Sequence, residues 1–321
     1  MKFGNAYKFC VCLLIVFSIS ISVFTYKQLF QSKNIILSPL PNFLTTFANN
    51  QVTTLSLWLP VSEIFKPNNL IQAPKITAKS ALIYDLTSSK VLFSKNPNKK
   101  LPMASLTKIM TAIIALESPR KNEYEVLQKD LVGENSMGLS VGEVLNLEEL
   151  LYGLILSSGN DAAETLASNF ERGREEFIAA MNNKAESLGL KNTHFTNPTG
   201  LEGNGKQYST AYDLLIITKY ALRSPLFKRV AGTFIYSIPY SENHKQFYLE
   251  NETNLLTSYP GVFGVKDGYT PEAGLCLVTY LSFEGHEIIG ILLGSDNRRD
   301  EMKELFDYGL KIQGITPPSH S

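Results

Sequence analysis

The sequence predicts an α+β domain: an antiparallel sheet flanked by helices, with a helical subdomain between the segments that form it. Three observations predict this. Residues 80–85 and 90–94 are two β-like runs around the turn residues Thr87-Ser88-Ser89, so the folded chain opens on a hairpin. Apolar stripes at helical spacing fill the middle of the chain. Residues 261–270, 275–283 and 287–293 then read as strands, apolar on both faces in places, as in a sheet covered by helices. The order of hairpin, helices, strands and a closing helix over 298–311 lets one sheet gather both ends of the domain.

The first helix follows Ser105 and carries Leu106, Ile109, Met110, Ile113 and Ile114 on one face. Leu147, Leu150, Leu151, Leu154 and Ile155 form a second stripe, and Ala163, Leu166, Ala167 and Phe170 a third. Ser158-Gly159-Asn160 is therefore a tight break between two helices. Residues 175–188 form another helix, stopped by Gly189. Glu284-Gly285 makes a short connection between the last two strands.

The chain of 321 residues has 30 basic and 30 acidic side chains, so it carries no electrostatic footprint for nucleic acid. Its three cysteines, Cys10, Cys12 and Cys276, form no disulfide framework. Lys2 and Lys8 precede an apolar run over 9–24, and Lys27 follows it. That pattern is a membrane anchor or a secretory signal, and the anchor is favoured because no clear cleavage site follows. Either way the rest of the chain is expected outside the cytoplasm. The expected organisation is a cytoplasmic stub over 1–8, the span over 9–24, a linker over 25–73 with a short helix near 61–65, the folded domain over 74–313 and a tail over 314–321. Anchoring is expected to fall to the N-terminal span.

Pro102-Met103-Ala104-Ser105-Leu106-Thr107-Lys108 opens the first helix and sets a serine and a lysine one turn apart. Serine is a weak nucleophile unless a base takes its proton. Free backbone N–H groups at a helix start favour negative charge and can stabilise an oxyanion. Lys108 is a base only when neutral. Lowering its pKa from about 10.4 to about 7.5 takes roughly 4 kcal/mol, from burial and a neighbouring cation such as Lys266. Ser-x-x-Lys alone is close to a chance pattern. A second match, Ser118-Pro119-Arg120-Lys121, sits at a helix end without an apolar helix after it.

Ser105-x-x-Lys108, Ser158-Gly159-Asn160 and Lys266-Asp267-Gly268, in that order, resemble the three-motif signature of penicillin-binding proteins and serine β-lactamases. The flanks narrow the resemblance to the low-molecular-mass D-alanyl-D-alanine carboxypeptidases. Leu101 to Thr111, Ser157 to Ala163, Phe195 to Leu201 and Val265 to Gly274 resemble that family's segments, and the similarity covers about residues 75–312. The resemblance implies a β-lactamase/DD-peptidase-like fold and peptidoglycan stem peptides as substrates, with β-lactams as inhibitors and no cofactor or metal. It implies Ser105 as the acylated nucleophile, Lys108 as its base and Ser158 as the proton relay. Asn160 would hold the substrate carbonyl and position Lys108. Lys266 would bond Ser158 and attract the substrate carboxylate, and the N–H groups of Ser105 and Tyr269 would form the oxyanion hole.

One position departs from the family pattern. Its third motif usually reads Lys-Thr-Gly, and the threonine hydroxyl meets the substrate carboxylate; here Asp267 precedes Gly268. An ionised Asp267 repels a carboxylate with about 4 kcal/mol at 4 Å and an effective ε near 20, before Lys266 offsets it. It turns away, pairs with Lys266, is protonated, or meets a substrate without that carboxylate. The alternatives are thus an endopeptidase or β-lactamase on the same scaffold, or a non-catalytic wall-binding homologue. A Gly138-Leu139-Ser140-Val141-Gly142 esterase-like pattern, with Asp161 and His194 downstream, lacks the strand that such a serine needs before it. The four histidines form no zinc-binding pair.

Overall fold

The structure is a computed structural model that describes residues 71–118, 123–253 and 255–320. The apolar run over 9–24, the linker helix near 61–65 and the stub lie outside the described residues. No helix among the described residues is long and apolar enough to cross a membrane.

One five-stranded antiparallel sheet organises the domain. Its strands are β1 (Ser80–Asp85), β2 (Lys90–Lys95), β7 (Val262–Thr270), β8 (Gly274–Phe283) and β9 (His286–Ser295), in the order β2-β1-β9-β8-β7. The opening hairpin and the three late strands thus join through β1 and β9. Asp85 fixes the first turn by accepting from the Thr87 N–H and the Ser88 hydroxyl. Glu284 and Gly285 have φ of 47° and 78°, the left-handed pair a two-residue hairpin needs.

Both faces of this sheet are buried, so the strands look apolar throughout. Ala81 and Ile83 of β1, with Leu277, Leu281, Ile288 and Leu292, pack on Met302, Leu305 and Phe306 of the closing helix α8 (Arg298–Ile312). Leu82 and Tyr84 point the other way with Val278, Ile289 and Ile291, into a larger core shared with the helices.

That helical part contains α1 (Thr107–Glu117), α2 (Leu147–Ile155), α3 (Asn160–Ser168), α4 (Arg174–Ser187), α5 (Ala211–Ala221) and α6 (Pro225–Ala231). Asn146 starts α2 with a reciprocal capping box, accepting from the Glu149 N–H while Glu149 accepts from its own. Two small hairpins stand beside the helices, β3 (Tyr124–Glu125) with β4 (Val144–Leu145), and β5 (Ile235–Ile238) with β6 (Phe247–Glu250). A one-turn helix, α7 (Leu255–Ser258), leads into β7. The region from 190 to 260, for which the sequence predicts no elements, holds α5, α6, β5, β6 and α7.

Candidate active site

The site forms where the start of α1, the turn between α2 and α3, and edge strand β7 converge. Residues Ala104–Leu106 make a 3₁₀ turn that runs into α1, and Ala104 has φ 49°. A non-glycine residue there is strained by about 1–3 kcal/mol, a pattern that clusters at functional sites. Two glycines make room for this turn. A Cβ on Gly200 would lie 2.1 Å from the Ala104 carbonyl oxygen, and one on Gly268 2.8 Å from the Ser105 backbone nitrogen. β7 therefore passes directly against the Ser105 N–H. Gly268→Ala is expected to keep the fold but push β7 away and lower Ser105 acylation at least tenfold, about 1.4 kcal/mol; labelling by a fluorescent penicillin and circular dichroism together check this.

Lys108 sits one turn along, completely buried. Its Nζ lies 3.0 Å from Ser105 Oγ, 2.7 Å from Asn160 Oδ1 and 2.7 Å from the Thr199 carbonyl oxygen. A neutral amine has two N–H donors and one lone pair. Donation to Asn160 and Thr199 uses both donors and leaves the lone pair facing the Ser105 hydroxyl. Burial and then the Lys266 charge hold the Lys108 ammonium well below the ordinary lysine range, against Asp267, Glu252 and Asp161.

The α2–α3 turn carries the next pair. Ser158 has φ 52° and is buried, and its hydroxyl meets no partner among the described residues. Asn160 points Oδ1 at Lys108 and donates Nδ2 to the Glu134 carbonyl at 2.7 Å. It thus positions the lysine. Asp161 fastens the turn by accepting from the N–H groups of Met137, Gly138 and Leu139 and from the Ser136 hydroxyl. The esterase-like pattern does not assemble: Ser140 Oγ accepts from Lys245, and His194 Nδ1 meets the Lys206 carbonyl.

β7 supplies the remaining groups. Lys266 is fully buried, and its Nζ donates to Asp267 Oδ1 at 2.8 Å rather than to Ser158. Arg298, which the sequence analysis does not single out, donates to Asp267 Oδ2 at 2.6 Å and to the Gly268 carbonyl at 2.8 Å. Burial raises the Asp267 carboxyl, but Lys266 and Arg298 outweigh it and hold it below the usual carboxylate value. Asp267 is thus an ionised bridge between two cations. Tyr269 stands at the lip, 60% exposed. Among the described residues no three His, Cys, Asp or Glu side chains gather as a metal site.

The family model for D-alanyl-D-alanine carboxypeptidases matches residues 68–297. The D-alanyl-D-alanine carboxypeptidase DacF of Bacillus subtilis is 38% identical over 242 residues, covering 72% of this chain and 61% of that protein. A D-alanyl-D-alanine endopeptidase of Pseudomonas aeruginosa is 33% identical over 210 residues, 64% of this chain and 67% of its own. Among solved structures, a DD-transpeptidase of Streptomyces superposes with a TM-score of 0.71 at 31% identity, covering 75% of this chain and all of that one. A serine–lysine pair joined to a buried Ser-x-Asn turn and a Lys-x-Gly edge strand, on that fold and within that match, places the chain in the D-alanyl-D-alanine carboxypeptidase family.

Proposed function

We propose that this protein is a serine-type D-Ala-D-Ala carboxypeptidase that removes the terminal D-alanine of peptidoglycan stem peptides through an acyl-enzyme. The observation that carries the reading is the lysine Nζ of the site. It is buried, aimed at Ser105 Oγ, and satisfied by two carbonyl-type acceptors that leave its lone pair for the serine proton.

Lys108 takes the Ser105 proton as Oγ bonds to the carbonyl carbon of the penultimate D-alanine. The Ser105 and Tyr269 N–H groups receive the oxyanion as it develops. The C–N bond then breaks, and the proton passes through Ser158 to the departing D-alanine amine. Water then attacks the acyl carbon as Lys108 takes its proton; Lys108 passes that proton to Ser105 Oγ as the ester C–O bond breaks, which releases the shortened peptide and restores the free serine and neutral lysine. A β-lactam acylates the same serine. The folded domain over 74–313 is held outside the cytoplasm by the span over 9–24, with the linker between them; the charge pattern around that span supports this arrangement. A second reading, a DD-endopeptidase, is favoured by one observation: Asp267 already occupies the cations that a terminal carboxylate would seek.

Fluorescent penicillin labelling with a D-alanine release assay tests the proposal. Label and release in the wild type, both lost in Ser105→Ala, are expected. Neither in the wild type would leave the wall-binding reading.

A further inference from the structure

The Thr199 carbonyl is one of the two acceptors that fix the Lys108 amine, yet it lies in a loop, outside any helix or strand. Such a carbonyl stays on target only if other groups hold the loop. Asn197 ties it together. Its Oδ1 accepts from the Thr199 N–H at 3.2 Å, the Thr199 hydroxyl at 3.0 Å and the Gly200 N–H at 2.8 Å. Its Nδ2 donates to the Leu201 carbonyl at 3.0 Å. Thr111 of α1 donates its hydroxyl to the Pro198 carbonyl at 2.6 Å.

Gln207 in turn holds Asn197. Its Oε1 accepts from the N–H groups of Thr196 at 2.8 Å and Asn197 at 3.0 Å, and its Nε2 donates to Asn197 Oδ1 at 3.1 Å. The two backbone donors fix which end of the amide is the oxygen. The side chain is buried, 6% exposed. The backbone beside it is anchored as well. Tyr208 exchanges N–H and carbonyl bonds with His194, and Ser209 does so with Leu101, four residues before Ser105. Gln207 is thus a crosspiece. It runs from a segment paired with the chain that leads to Ser105, across to the loop that carries the Thr199 carbonyl.

We infer that Gln207 is a positioning residue for the base: through Asn197 it keeps the Thr199 carbonyl on Lys108 Nζ, and so keeps the amine lone pair on Ser105 Oγ. The inference rests on the serine-peptidase reading above. A neutral amine has two donors and one lone pair, so two fixed acceptors leave the lone pair one direction. With one acceptor adrift, the amine turns about its Cε–Nζ bond and the lone pair leaves the serine. The same carbonyl also holds the ammonium, in a charge-assisted bond about twice as strong as a neutral one. Its loss therefore costs the ammonium more than the amine and lowers the Lys108 pKa further. The base is then misaimed and yet loses its proton earlier, a combination that general loosening of the fold does not produce.

Gln207→Met keeps the length of the side chain and removes both polar ends. Its rate of labelling by a fluorescent penicillin is followed against pH, per serine that labels. The plateau is expected about tenfold lower, with the rising limb moved to lower pH by about 0.5–1 unit. The charges of Lys266, Asp267, Glu252 and Asp161 around the lysine are the same in both proteins, so a moved limb reports the carbonyl. Gln207→Asn, an amide one methylene shorter, is expected to move both readings the same way by less, and it decides the matter if Gln207→Met does not fold. A variant that melts earlier but labels with the wild-type plateau and limb overturns the inference, since Gln207 then serves the fold alone. So does the failure of both variants to fold. In each of those cases the wild type still labels at Ser105 and the peptidase reading stands. A wild type that takes no label at Ser105 overturns both.

Discussion

Lys108→Arg is expected to slow Ser105 acylation by about 10²–10⁴-fold, the usual worth of a positioned general base. Arginine keeps the charge but never gives up its proton in a protein. The lysine Nζ is also a single point between Ser105, Asn160 and Thr199, in a pocket with no exposure. A planar guanidinium presents five donors there and no lone pair. The second-order rate of labelling by a fluorescent penicillin reads the loss directly. A variant that labels as fast as the wild type would remove Lys108 from the base role.

The pH profile gives an independent check of the same assignment. The base form is neutral lysine, so acylation rises with pH through the folded pKa of Lys108 and then levels. Because burial and Lys266 hold that value well below 10.5, the plateau is reached while a solvent-exposed lysine is still protonated. Lys266 is the second cause after burial. Lys266→Met is therefore expected to move the rising limb to higher pH, since the neighbouring charge that disfavours the ammonium is gone. A limb that stays in place would mean that Lys266 does not tune the base.

Much of this site was legible because its chemistry is local. Ser105 and Lys108 share one helical turn, and Ser158 and Asn160 share one tight turn, so spacing alone brings each pair together. The sheet was legible for a related reason: its three hairpins have short turns, and most of its strands are rich in apolar residues. What stayed hidden is non-local or masked by burial. Helix α5 is buried nearly all round, so it has no polar face to reveal a period, although Thr210 accepting from the Asp213 N–H marks its start. β5 and β6 are four residues each, and no two-residue turn joins them. Arg298 lies 32 residues beyond Lys266 in the chain. Its one signal was an arginine pair opening a helix, against the helix dipole, which asks for an anion nearby. Asp267 is that anion. The expected Lys266–Ser158 hydrogen bond fails for the same reason, because the adjacent carboxylate takes the ammonium and leaves the Ser158 hydroxyl without a partner among the described residues.

Asp267→Thr is expected to move stability and D-alanine release in opposite directions. The carboxylate is 5% exposed and bridges Lys266 and Arg298, so its removal leaves two cations facing each other without a counter-ion. Breaking a buried pair in this way costs about 3–5 kcal/mol, and the part of Arg298 that reaches solvent places this case at the lower end. The same deletion frees the Arg298 guanidinium and the Lys266 ammonium for a substrate carboxylate. Repulsion from Asp267 is of order 4 kcal/mol at 4 Å before its partners screen it. If a third of that survives in the assembled site, release of D-alanine from a peptide with a free carboxylate rises about tenfold. A thermal melt and a release assay on one preparation separate the two effects. Adding a D-alanine-terminated peptide should then restore part of the lost melting temperature, because its carboxylate replaces the missing anion between the cations. A variant that loses stability, gains no rate and is not rescued by the peptide would show that Asp267 serves only to neutralise its partners, leaving discrimination against the carboxylate to other groups.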